Sequence, residues 1–150
     1  MRNFLNDKGY TLIELIVVIA IIGIILSVTA INAQIDQDIL LKKCASKLVQ
    51  DIRYIQLKTV YEKNTDYKIY ANYGANPYQY KIYEPNKAVQ IVKLDQGVYF
   101  ADTIDGSYVK FTTSGIPTPP GSFILRNNKG TKIEITIEFT TGRARMQYIQ

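Results

Sequence analysis

The chain has 150 residues, 18 Lys+Arg against 13 Asp+Glu, no His, one Cys and no Trp, which is the size of one domain or of a small domain with an appendage. Without histidine there is no Ser-His-Asp or Cys-His arrangement and no His-ligated metal, and the lone Cys44 excludes an intramolecular disulfide and a Cys-cluster zinc site. The composition points away from an enzyme, no cofactor or metal is expected, and the net charge of +5 suits acidic partners without naming one.

No charged residue occurs between Glu14 and Asp36. A bilayer-spanning helix needs about 20 mostly apolar residues, so residues 12–35 are expected to form a transmembrane segment. Beyond it Leu41, Cys44, Leu48, Ile52 and Ile55 recur in steps of three and four, which is one face of an amphipathic helix. Lys42, Lys43, Lys47, Asp51 and Arg53 fall largely off that stripe, and Asn64-Thr65-Asp66 reads as a stop. A single helix over residues 10–64 would be about 80 Å long. Such a helix is half membrane anchor or filament core and half the spine of a β-rich domain.

From Tyr67 the hydrophobic period changes to two. Strands are predicted at residues 67–70, 78–83, 89–92, 98–100, 108–111, 123–126, 132–139 and 143–149. In the clearest of them Ile133, Ile135, Ile137 and Phe139 alternate with Lys132, Glu134, Thr136 and Glu138. Turns are expected at residues 84–87, 127–130 and 140–142. Pro117, Pro119 and Pro120 with Gly115 and Gly121 predict an irregular loop. Six tyrosines fall between Tyr67 and Tyr83, interleaved with Lys68 and Lys81. They read as ordinary cross-strand pairs, with stacking on bases or sugars as the competing account. Cys44 reads as a small buried side chain, and Asp102 and Asp105 flank a turn without the spacing of a Ca²⁺ loop.

Three accounts of the N-terminus are open. A signal anchor needs only basic residues and an apolar run, and a secretory signal peptide would be cleaved near Ala30 or Ala33. Neither explains Glu14, because an ionisable group at a membrane edge is costly and calls for a cationic partner. Lys8-Gly9, followed by Tyr10-Thr11-Leu12-Ile13-Glu14 and the long apolar run, resembles the type IV prepilin signature. The resemblance implies that a prepilin peptidase cuts between Gly9 and Tyr10 and that the new amine of Tyr10 is methylated. It also implies that Glu14 pairs with the N-terminal amine of a neighbouring subunit as a filament is built. The chain would then divide into a leader (1–9), an N-terminal helix (10–64) and a β-rich domain (65–150). It would cross the cytoplasmic membrane once, with the β domain outside the cytoplasm, and later join a cell-surface or periplasmic filament. Ile31 stands where the family often has a proline, and the orientation rests on the resemblance, since Arg2 and Lys8 on one side face Lys42, Lys43 and Lys47 beyond the other.

Val109-Lys110-Phe111 followed by Gly115, then Phe123-Ile124-Leu125, then an alternating strand ending in Thr141-Gly142-Arg143-Ala144-Arg145, resemble the GspH/FimT family of minor pilins and pseudopilins. The resemblance implies an α+β, type IV pilin-like fold in which the long N-terminal helix packs on an antiparallel β-sandwich. Gly142-Arg143-Ala144-Arg145 has the form GRxR, which contributes to DNA binding in FimT-like minor pilins of natural transformation. Strand residues two apart project to one face about 6.6–6.8 Å apart, so Arg143 and Arg145 would make a cationic fork for phosphates. Arg126, Lys129 and Lys132 in the preceding hairpin would extend it. The structural account is that these side chains are solvated, or paired across the hairpin with Glu134 and Glu138. DNA binding by so few charges would be weak, salt-sensitive and sequence-independent. The expected function is that of a FimT-like minor pilin, not an enzyme, whose partners are other pilin or pseudopilin subunits, the prepilin peptidase, the cytoplasmic membrane and, during uptake, DNA. The alternatives are a GspH-like pseudopilin of type II secretion and a secreted or membrane-anchored β-domain binding protein with no filament role.

Overall fold

The computed structural model describes residues 11–31, 36–72, 78–101 and 108–149, with the side chains of the first helix as far as Ile25. The chain divides into two compact units, Met1–Ile35 and Asp36–Gln150. In the first unit, α1 (Leu12–Ile31) has 20 residues and is about 30 Å long. Every described side chain from Leu12 to Ile25 is exposed. A helix that is apolar all round has no polar face to turn to water and must be covered by something other than itself. Among the described residues no helix is long and apolar enough to cross a membrane. The segment expected to span, residues 12–35, runs on past the described side chains.

The second unit opens on α2 (Gln37–Glu62). Within the stretch expected as one helix from 10 to 64, α2 has a start of its own. Asp36 is extended (φ −62°, ψ 125°), and its carboxylate accepts the Asp38 N–H at 3.2 Å. Aspartate is favoured there because its oxygen satisfies an N–H that has no partner within the helix. Lys129 reaches the same carboxylate at 2.6 Å, and the Asn127 amide donates to Asp38 at 2.6 Å, so the first turn of α2 is tied to a distant hairpin. The hydrogen bond from Lys129 holds the Asp36 carboxyl below its ordinary range. At the other end Lys63 adopts a left-handed conformation (φ 53°), and Asn64 accepts the Asp66 N–H at 2.9 Å, which stops the helix where a stop was expected.

The predicted stripe is the buried face of α2. Leu41, Cys44, Leu48, Ile52 and Ile55 are all buried, together with Ala45, Val49 and Thr59. Asp51 departs from the expectation that it lies off this stripe, for it is only 6 % exposed. Its carboxylate accepts the Tyr80 hydroxyl and pairs with Lys47, which compensates its burial. The Thr59 hydroxyl donates to the Ile55 carbonyl at 2.8 Å and is likewise satisfied. Cys44 is buried as expected, and burial pushes its thiol pKa up.

Among the described residues nine strands follow: β1 (Lys68–Asn72), β2 (Gln79–Tyr83), β3 (Gln90–Lys93), β4 (Val98–Phe100), β5 (Tyr108–Phe111), β6 (Pro117–Thr118), β7 (Gly121–Asn127), β8 (Lys132–Ile137) and β9 (Ala144–Ile149). They form two sheets of order β3-β2-β1-β5-β6 and β4-β7-β8-β9, antiparallel throughout. α2 packs against β1 and β5 of the first sheet and against β4, β7, β8 and β9 of the second. The helix therefore fills the space that the inner faces of both sheets enclose, an α+β type IV pilin-like arrangement. Alternation decides which strand residues join it: Ile133, Ile135 and Ile137 are buried, as are Ile69 and Ala71.

Two strand expectations are corrected. β8 ends at Ile137, and Phe139, expected to continue the inward row, is 61 % exposed. A turn takes over there, with the Gly142 N–H donating to the Glu138 carbonyl at 2.7 Å. Within the proline-rich loop, Pro117 and Thr118 form β6 and pair with Phe111 and Lys110. The tyrosines divide by strand parity. Tyr67 and Tyr80 enter the core, Tyr70 and Tyr83 do not, and Tyr73, Asp102 and Asp105 lie outside the described residues.

Candidate functional site

The N-terminal site is built on the first turn of α1. Thr11 precedes the helix, and its Oγ1 accepts the Glu14 N–H at 3.3 Å. Glu14 reaches back, its carboxylate accepting the Thr11 N–H at 3.2 Å and the Thr11 hydroxyl at 3.3 Å. This reciprocal pattern is a capping box, in which two backbone N–H groups without helical partners are satisfied at once. A carboxylate in the first turn also faces the positive end of the helix dipole. Glu14 therefore has a local role that its reading as an assembly carboxylate did not include. The Thr-x-x-Glu spacing ahead of an apolar run carried that signal. Gly9 and Tyr10, the expected cleavage pair, lie outside the described residues.

A second candidate site is an open groove of about 480 Å³ between α2 and β9. Arg143 and Arg145 line it together with Arg53, Ser46 and Gln50 of α2. Arg53 donates to the Ala144 carbonyl at 3.2 Å, which fixes its guanidinium beside the GRxR backbone. Gly142 is required by that backbone. Its φ is +67°, and a Cβ there would lie 2.2 Å from the Gly115 carbonyl oxygen. Gln56 of α2 clamps the same corner, donating to the carbonyls of Gly115 at 2.8 Å and Thr141 at 3.0 Å. Arg143 thus follows directly on a turn held from the helix side, just ahead of β9, and Arg145 is the second residue of β9.

Arg145 approaches Glu138 only at 4.0 Å, with both side chains well exposed, and among the described residues Arg143 has no ion pair. Glu134 accepts from Gln147 at 3.1 Å instead. Exposed pairs of this kind contribute little, so the arginines keep most of their charge available. The other three predicted cations are not brought to this groove. Arg126 and Lys132 face each other at the far end of the β7–β8 pair, while Ile137 and Ala144 mark the GRxR end. Five strand steps separate Lys132 from Ile137, about 17 Å. Arg126 stands 6.0 Å from the Tyr99 ring centre, and Lys129 is engaged by Asp36. Arg53, which periodicity read only as an off-stripe helix residue, takes their place.

The family model for the prokaryotic N-terminal methylation motif matches residues 5–30. No curated protein and no solved structure matches the chain. The matched segment covers the expected cleavage pair, the Thr11–Glu14 box and most of α1, and a helix-and-two-sheet head follows it. The N-terminal motif, together with this architecture, supports a type IV prepilin-like protein.

Proposed function

We propose that the protein is a minor pilin, inserted in the cytoplasmic membrane through α1, cut between Gly9 and Tyr10, methylated on the Tyr10 amine and assembled with other pilin subunits through α1. The observation that carries this reading is a helix with apolar side chains exposed all round and a single carboxylate, Glu14, in its first turn. In the membrane lipid covers those side chains, and in a filament equivalent helices do. The Glu14 carboxylate then exchanges its bonds to Thr11 for the amine of a neighbour, so that neither charge enters the filament core unpaired. Intact-mass analysis of protein made in cells with a prepilin peptidase should find Tyr10 as the first residue. A chain beginning at Met1, or near Ala30 or Ala33, overturns the reading.

The groove of Arg53, Arg143 and Arg145 supports a FimT-like pilin that touches DNA over a GspH-like pseudopilin of type II secretion. Replacing Arg143 and Arg145 together by alanine should weaken binding to a DNA duplex about tenfold at low salt. It should also flatten the slope of log affinity against log salt by about 2, since each phosphate contact contributes roughly 0.9. Anisotropy titrations at several salt concentrations measure both quantities. An unchanged slope removes the DNA role and leaves the secretion pseudopilin as the reading of the head.

A further inference from the structure

We propose that the outer face of the first sheet binds a carboxylated saccharide, its carboxylate held between Lys68 and Lys110 and its ring laid over Tyr70 and Tyr108. An open groove of about 700 Å³ lies on this face, formed by β1, β2, β5 and the residues just before β1 and after β2. That is the size of an ordinary small-ligand site. Its composition narrows the ligand.

The register places Lys68 directly opposite Lys110, and Tyr70 directly opposite Tyr108 one outward step further along. Like charges facing each other across a strand pair are unfavourable unless an anion lies between them. Among the described residues neither lysine has an ion pair. Lys68 instead rests 4.8 Å from the centre of the Tyr83 ring. Lys68 thus leans toward β2, and a swing back toward Lys110 would make the two lysines a two-point cationic seat beside a pair of exposed aromatic rings. Tyrosine suits a ligand with one apolar face and many hydroxyls, because its ring packs while its hydroxyl exchanges hydrogen bonds.

Charge balance decides against a long polyanion such as a nucleic acid. The groove also holds Asp66 and Glu84, so carboxylates stand beside its two lysines. Glu84 is held by Lys87 at 2.7 Å and by the Tyr54 hydroxyl at 3.1 Å, whereas Asp66 stands at the rim with its carboxylate exposed. A chain of phosphates would meet Asp66 with repulsion. A sugar would donate a hydroxyl to it, and such charge-assisted bonds are the strong ones. One anionic group, several hydroxyls and flat apolar faces describe a uronic- or sialic-type sugar. The site belongs to the head alone and stands whether or not the protein enters a filament.

Titration calorimetry of the full-length protein tests this, in amine-oxide micelles so that no sugar-headed detergent competes. The probes are trigalacturonate, neutral maltotriose and tripolyphosphate. Trigalacturonate should bind, and maltotriose about tenfold or more weakly than it, the effect of one charge-assisted contact. Lys68→Met and Lys110→Met keep the apolar stems and should each lower trigalacturonate affinity about tenfold. Tyr70→Ala should lower affinity for both sugars, and Arg143→Ala for neither. Equal affinity for the charged and neutral trisaccharides removes the carboxylate seat. Tripolyphosphate binding as tightly as trigalacturonate and unmoved by Tyr70→Ala reduces the face to a bare cation pair. No heat with any probe at millimolar concentration overturns the proposal outright.

Discussion

Glu14→Ala is expected to leave the protein in the membrane fraction and to remove it from filaments. The substitution deletes the one charge of α1, which does not oppose insertion. In the proposed filament it strands a neighbour's amine in an apolar core. Breaking a buried ion pair by removing one partner costs about 3–5 kcal/mol, which lowers subunit incorporation on the order of 100-fold or more. Quantifying the protein in sheared filaments against the membrane pool gives the ratio. The capping box complicates a test by alanine alone, since alanine also loses the bonds to Thr11. Glu14→Gln resolves this. Glutamine at the third helical position can still complete the box, but it cannot carry the charge. Loss of incorporation in both variants assigns the effect to the ion pair. Normal incorporation of Glu14→Gln would mean that helix capping, not charge, is what the position supplies.

The second large effect is on stability. Asp51→Ala should destabilise the head by about 2–4 kcal/mol, because it leaves the Tyr80 hydroxyl buried without an acceptor and opens a small void beside it. With a mid-range urea dependence of about 2 kcal/mol per molar, the unfolding midpoint of the full chain in micelles should fall by about 1–2 M, read from tyrosine circular dichroism. Adding Tyr80→Phe to Asp51→Ala should restore part of the loss, since removing both partners leaves no orphaned group. A double variant no more stable than Asp51→Ala would contradict this account. The same contact sets an alkaline limit. Burial first, and then the bond to Asp51, push the Tyr80 hydroxyl above its ordinary range, and the bond to Glu62 pushes Tyr67 up to about 12. Groups whose pKa is raised on folding stabilise the fold below their unfolded pKa, near 10 for tyrosine, and lose that contribution as pH rises further. The urea midpoint should therefore decline above about pH 10, and less steeply in Tyr80→Phe.

How far residue order alone reached depended on the range of the interaction. The buried face of α2 and the inward row of β8 were legible because both depend on local period, three to four in one case and two in the other. The carboxylate of Glu14 stood out as the one charge at the head of an apolar run. Its capping role needed a different question of the same residues, the Thr-x-x-Glu spacing. Asp36 escaped because helical periodicity continues on its far side and carries no mark of a break. Its extended backbone is secured by Lys129, 93 residues away. Asp51 looked like a surface residue until Tyr80 came across from β2 to meet it. The hairpin cations do not extend the arginine pair, for a topological reason: an antiparallel hairpin that brings Ile137 to Ala144 must carry Lys132 and Arg126 to the other end. Arg53 reached the arginine pair only through the packing of α2 on β9.

The double tie between the start of α2 and the β7–β8 turn bears on mechanics. Asp36 and Asp38 are held by Lys129 and Asn127, and Asn127 is fully buried and also accepts the N–H groups of Lys129 and Thr131. Tension arriving along the chain at residue 36 is therefore shared at once with the second sheet, where several strands resist it in parallel. The helix is not asked to unravel from its first turn. A subunit gripped at one end and pulled would transmit load as a block rather than pay out chain.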